Sequence, residues 1–241
     1  MGDSVSRQLF HSLKGHQDIT SVACNQAIDI IGQYFLMHNF ITTNPGVEKV
    51  YLVYNPFSFN NNLDHIFTFN YFLKPFYNSE YKKLFTTSAL IQVRKIPFYR
   101  LANFAPIKIC FWTPTYQVEK DDHKFLSDIS IQYIIKMQKL AEAHQITFSI
   151  IPVPIKASRK DELKVLKQHY FSSEDRLDIF DKYFANLIIL PDSLYRDHIH
   201  FNEQGISDVR ALMFEDFFQE QPERKFSKLD TLMLDIHANM N

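Results

Sequence analysis

KVYLVY, at Lys49–Tyr54 and closed by Asn55-Pro56, is the stretch on which the fold turns. Five of its six residues are aliphatic or aromatic, so it reads as a buried strand, and the proline ends it. On its amino side, Ala27 to Phe40 carries Ala27, Ile28, Ile31, Phe35 and Leu36 at helical spacing, with Asn25 placed to cap the start. Ile19 to Cys24 before it is a short strand candidate. On the carboxyl side, a long helix is expected at Asp122 to His144, with Phe125, Ile129, Tyr133, Met137 and Leu140 on its core face. The strand Ile146 to Val153 follows, ended by Pro152 and Pro154. Residues 160–170 read as helical, Asn186 to Leu190 as a last strand, and Glu203 to Phe218 as a closing helix with Ile206, Val209, Met213 and Phe217 inward. Strands that alternate with helices predict a parallel sheet covered by helices on both faces.

At 241 residues with 46% hydrophobic content, the chain fits a single α/β domain over 1–241. A net charge of −1 lacks the basic footprint of a nucleic-acid binder, so no nucleic-acid partner is expected. Cys24 and Cys110 match no metal-ligand spacing and read as buried thiols. There is neither a metal cluster of histidines and carboxylates nor a phosphate-cradling loop among five glycines, so no cofactor and no metal are predicted. No apolar run approaches the ~20 residues needed to cross a bilayer.

Open α/β sheets hold their sites beyond the carboxyl ends of the strands. Four segments converge there in this reading. They are the turn with Ser4, the turn after Cys24 with Asn25, the turn after Tyr54 with Asn55, and the loop Asp197-His198-Ile199-His200. A serine hydroxyl needs an imidazole to take its proton and a carboxylate to orient that imidazole. Asp197 and His200, three apart, leave one turn on the same side, and their shared target is Ser4. His198 is the competing imidazole, and the three-residue spacing favours His200.

Gly2-Asp3-Ser4 at the start and Asp197-x-x-His200 ahead of a closing helix resemble the SGNH or GDSL-type hydrolases. The resemblance implies a three-layer α/β/α fold with a central parallel sheet, flavodoxin-like. It implies Ser4 as nucleophile, His200 as base and Asp197 as its partner, and it assigns an oxyanion hole to the Ser4 backbone with Asn25 and Asn55. The match is weaker at the last two positions: Cys24-Asn25-Gln26 lacks the usual glycine, and Asn55-Pro56 stands where Gly-x-Asn-Asp is usual. Asn25 is therefore either an oxyanion donor or a helix cap, and Asn55 either a donor or a turn former. In the resembled family a full strand precedes the serine, whereas only Met1 precedes Gly2 here, so the first strand is expected to be truncated and the compartment is left open.

The activity implied is a serine esterase acting through an acyl-enzyme, on a small-molecule or glycan ester, such as an acylated carbohydrate or cell-envelope polymer. An O-acyltransferase working on an exported polysaccharide beside a membrane partner, and a non-catalytic binding protein of the same fold, are the alternatives. The aromatic-rich insertion at about 57–105 forms either a lid or groove wall over the site, or a small core of its own. Leu229, Leu232, Met233 and Ile236, at helical spacing in the tail, would dock a partner if the protein served as an assembly component.

Overall fold

The computed structural model describes residues 1–10, 19–24, 29–60, 63, 65, 67–111, 126–162 and 174–215. Asn25, the tail from Phe226 to Ile236, Phe125 and Phe217 lie outside these residues. The architecture is mixed α/β with two small parallel sheets.

The strand KVYLVY forms as expected. This β1 (Lys49–Tyr54) pairs in parallel with β2 (Thr147–Pro152), from Lys49 opposite Thr147 to Tyr54 opposite Pro152. After the turn at Val153-Pro154, β3 (Ile155–Lys156) pairs in parallel with β4 (Ile189–Leu190). On the other side of β1, Gly2 bridges Val53 in parallel. The amide of Val53 donates to Met1 O, and the amino group of Met1 donates to Tyr51 O at 2.7 Å. Burial lowers that amino group to about 6. Ile19 to Cys24, expected as a strand, makes no regular ladder among the described residues. Its contact with Met1-Gly2 is a hydrogen bond from the amide of Cys24 to Gly2 O, too little pairing to fix a strand.

Side chains alternate across a strand, so β1 faces two cores. Val50, Leu52 and Tyr54 join a large cluster with α2 (Ile30–Thr43) and α6 (Asp128–Ala143). Val53 joins a second cluster with α1 (Ser4–Phe10) and α8 (Glu203–Met213), held by Val5, Leu9, Phe201 and Val209. The expected core face of α6 is present in Ile129, Tyr133 and Met137, with Leu140 partly buried. Ser127 caps this helix by accepting from the Ser130 amide, a contact that accounts for its start at Asp128. The helix α2 begins at Ile30, and at its N-cap Asp29 makes no capping bond through its side chain. A helix not foreseen from the periodicity, α7 (Glu174–Tyr183), packs near β2 and buries Ile179.

The aromatic segment is a chain of short helical pieces: a 3₁₀ turn at Pro56–Asn60, a π-turn at Phe69–Leu73, α3 (Lys74–Phe76), α4 (Thr87–Lys95), a 3₁₀ helix at Tyr99–Asn103 and α5 (Ala105–Ile109). Phe59, Phe69, Phe72, Phe76 and Phe85 are buried and share one core with α2 and α6. Phe35 of α2 is its hub, with ring centroids at 5.6 Å from Phe76, 5.2 Å from Tyr81 and 5.0 Å from Phe85. Neither a groove wall nor a separate small core describes these five rings. They extend the main core, because an aromatic side chain has more apolar surface to bury than a short helical turn can cover alone.

Candidate active site

The helix α1 starts where Met1-Gly2 leaves the edge of β1. Asp3 sets that start: its Oδ1 accepts from the amides of Val5 and Ser6 at 3.0 and 3.3 Å, an N-cap bonding pattern. Its Oδ2 accepts from the amide of Asn55 at 3.0 Å, so one buried carboxyl ties the first turn of α1 to the carboxyl end of β1. Burial raises the Asp3 pKa, while these three amides pull the other way. Gly2 makes the approach possible. It has φ +155°, and a Cβ there would overlap the Val53 carbonyl oxygen and crowd Ser6. Ser4 is thereby the first residue of α1, half-buried, with its amide among the donors that a helix start leaves without an intrahelical partner.

The opposing loop is built as tightly. After β4, Tyr195 and Phe201 bridge in antiparallel fashion, and the amide of Arg196 donates to His200 O. Tyr195 Oη donates to Pro154 O at 2.9 Å, and its ring packs on that of buried Phe201 at 4.7 Å. Within the loop, Asp197 Oδ1 accepts from the amides of Ile199 and His200 at 2.9 and 2.8 Å. Asn202 ends the loop and caps α8 by accepting from the Gly205 amide at 2.8 Å. Gly205 lies against Leu194, whose carbonyl a Cβ would strike.

These two constructions meet. Ser4 Oγ and His200 Nε2 are 3.0 Å apart, across 196 positions of sequence. On the far side of the ring, His200 Nδ1 lies 2.9 Å from Asp197 Oδ2 and 3.1 Å from Oδ1. With Nδ1–H donating to the carboxylate, Nε2 presents its lone pair to the serine hydroxyl. Partial burial pushes the Asp197 carboxyl up. The amides of His200 and Ile199 and the imidazole outweigh it and hold the group at about 2, so it is ionised at neutral pH. His198 is exposed, and its side chain makes no hydrogen bond among the described residues.

Asn55 has both features weighed from sequence. Its Oδ1 accepts from the Phe57 amide at 2.9 Å, the bond of a turn former before proline. Its Nδ2, the other end of the amide, makes no hydrogen bond among the described residues. Lys156 reaches the Asp197 carbonyl at 3.4 Å, and the Arg159 guanidinium lies 3.7 Å from the Phe57 ring centre, so both cations belong to the same end of the sheet. A cavity of about 880 Å³ is at the opposite end, lined by Glu48, Lys49, Tyr51, Ile19 and Val22. Its size does not make it the site, because Ser4 and His200 are not among its walls.

Sequence reading did not find Gln8. Its Nε2 donates to Phe201 O at 2.7 Å and its Oε1 accepts from the Phe201 amide at 3.1 Å, a two-point clamp between the serine helix and the histidine loop. Arg210 of α8 adds a second tie, with Nε donating to Leu9 O at 2.6 Å at the carboxyl end of α1. The signal for Gln8 is its position four residues after Ser4, on the same face of a helix. Among the described residues no group of histidine, cysteine and carboxylate side chains is arranged to hold a metal. The chain matches no protein-family model, no curated protein and no solved structure.

Proposed function

We propose that this protein is a serine esterase of SGNH type, with Ser4 as nucleophile, His200 as general base and Asp197 as the carboxylate that orients it. The observation that carries the reading is the unbroken contact from Ser4 Oγ through the imidazole to Asp197, formed by groups at the two ends of the chain. The backbone contacts also support the finer fold. Met1-Gly2 beside β1, β1 beside β2 and β3 beside β4 are neighbours that the 2-1-3-4-5 order of a flavodoxin-like sheet requires, and the single Cys24–Gly2 hydrogen bond is in keeping with it. With helices against both faces of β1, we read it as a three-layer α/β/α domain over 1–241. In such a sheet the switch point between the first and third strands is the binding crevice, and Ser4 and Asn55 flank it.

In this mechanism Ser4 Oγ attacks the ester carbonyl while His200 Nε2 takes its proton, and the imidazolium is stabilised by ionised Asp197. The tetrahedral oxyanion is met by the Ser4 amide and Asn55 Nδ2. Loss of a donor of this kind costs about 3 to 4 kcal/mol in a serine protease. His200 then returns the proton to the leaving alcohol, and water resolves the acyl-enzyme. The substrate class is an acylated carbohydrate or cell-envelope ester, as the family resemblance implies. Fluorophosphonate labelling beside Ser4→Ala, with hydrolysis of a short-chain nitrophenyl ester in parallel, tests the reading. Label and hydrolysis are both expected to vanish in the variant, and a folded wild-type protein that takes no label would overturn the esterase.

A further inference from the structure

The carboxyl half of the aromatic segment differs from the rest of the molecule in both charge and exposure. Between Tyr81 and Phe111 there are six cations, Lys82, Lys83, Arg94, Lys95, Arg100 and Lys108, and no acid, in a chain of net charge −1. All six are exposed. Within the same stretch, the 3₁₀ helix at Tyr99–Asn103 is entered and left through the chain of bonds Leu101 amide to Phe98 O and Phe104 amide to Leu101 O. Residues three apart eclipse in a 3₁₀ helix, so Phe98, Leu101 and Phe104 line up as one ridge. They are 58, 41 and 58% exposed, while Ala102 on the inner side is fully buried. Ile109 and Phe111, a few residues on, are also exposed, at 85 and 100%.

Phe98 has φ +59°, a left-handed conformation that is uncommon for a bulky residue and that persists only where its surroundings enforce it. Single exposed apolar residues need no explanation, but a contiguous set does.

We propose that this ridge, with its flanking cations, docks the protein on an anionic phospholipid surface. Apolar tips enter the headgroup and acyl boundary while Arg94, Lys95, Arg100 and Lys108 meet lipid phosphates and carboxylates. Charge complementarity selects this occupant. Among the described residues no helix is long and apolar enough to cross a membrane.

The test is co-flotation of the full chain with phosphatidylcholine vesicles, with and without phosphatidylserine. Binding is expected only with phosphatidylserine, and it should weaken as salt rises. Phe98→Ser combined with Phe104→Ser, and separately Arg94→Gln combined with Arg100→Gln, should each lower the vesicle affinity about tenfold or more with circular dichroism unchanged. Ser4→Ala should bind as the wild type does, so this outcome is separate from the esterase reading. Equal binding to neutral vesicles, no binding by the folded wild type, or undiminished binding by both double variants overturns the proposal. A concentration-dependent dimer abolished by the ridge variant, in protein that ignores vesicles, would give the surface to a second copy of the chain instead.

Discussion

The Ser4 corner and the aromatic segment are built by different physics. Around Ser4 the fixing contacts are directional: Asp3 on three amides, Gln8 on both backbone groups of Phe201, and Asp197 on two amides and an imidazole. From Phe57 to Phe111 directional bonds such as Ser130 Oγ to Phe59 O are joined by many ring-against-ring contacts, centred on Phe35 and Phe72, with helical pieces too short to specify themselves. Hydrogen bonds lose strength within a few tenths of an ångström and so set position, whereas apolar burial is non-directional and sets stability. On the proposed function, chemistry and stability fall to separate parts of this chain, and substitutions can break or sharpen that division.

The largest effect is expected for Ser4→Ala. Removing the nucleophile of a triad costs on the order of a millionfold in kcat, with the residual rate coming from the remaining site. The melting temperature should stay within a few degrees of wild type, because Ser4 is half-buried and makes one side-chain hydrogen bond. Asp197→Asn comes next, at about 10⁴-fold in kcat, through loss of the productive tautomer. Because Asp197 titrates at about 2, its charge is present above the ordinary carboxylate range and is lost only as pH falls through that value. The acid limb of a kcat/KM profile measured above about pH 4 should therefore not report this carboxylate.

In the other region the prediction is opposite in kind. Phe35→Ala removes a fully buried ring in contact with several others and should cost about 3 to 5 kcal/mol of stability, or roughly 10 °C in melting temperature. The fraction that remains folded should label with fluorophosphonate at the wild-type rate. A slower label in a folded Phe35→Ala protein would show that the aromatic core also positions the site, and the division drawn above would fail.

The same contrast explains what the sequence made legible. KVYLVY was readable as a short, β-branched and aromatic apolar run closed by Asn55-Pro56, and the core face of α6 because its apolar residues repeat at helical spacing over several turns. The contact of Ser4, His200 and Asp197 could be anticipated because the three stand in short local motifs, Gly2-Asp3-Ser4 and Asp197-x-x-His200. Ile19–Cys24 misled because its apolar pattern is that of a strand, while pairing depends on the neighbour, and Met1-Gly2 offers it little edge. The 3₁₀ and π-turn pieces of the aromatic segment have no 3.6-residue period to detect, and α7 carries acids and bases through most of its length. Gln8 was harder to read for a different reason: its partner is 193 positions away, and a place four residues after Ser4 does not by itself announce a backbone clamp.

The smallest expected effect therefore gives the sharpest test of the comparison. Gln8 touches neither Ser4 Oγ nor the imidazole, and it acts, in this reading, by holding the loop that carries His200 at a fixed distance from α1. Gln8→Ala removes both hydrogen bonds to Phe201 and leaves a partly buried amide and carbonyl to water, a cost of about 1 to 3 kcal/mol. If Gln8 were only a source of stability, the melting temperature would fall by a few degrees and kcat at a temperature well below the transition would be unchanged. As a positioning residue it should lower kcat about tenfold with KM nearly constant, since the Ser4 to His200 distance matters in the transition state more than in substrate binding. Gln8→Glu keeps the acceptor for the Phe201 amide and loses the donor to its carbonyl, so it should recover part of the stability and little of kcat. A Gln8→Ala protein with wild-type kcat would show that the second tie, Arg210 on the end of α1, holds the geometry alone.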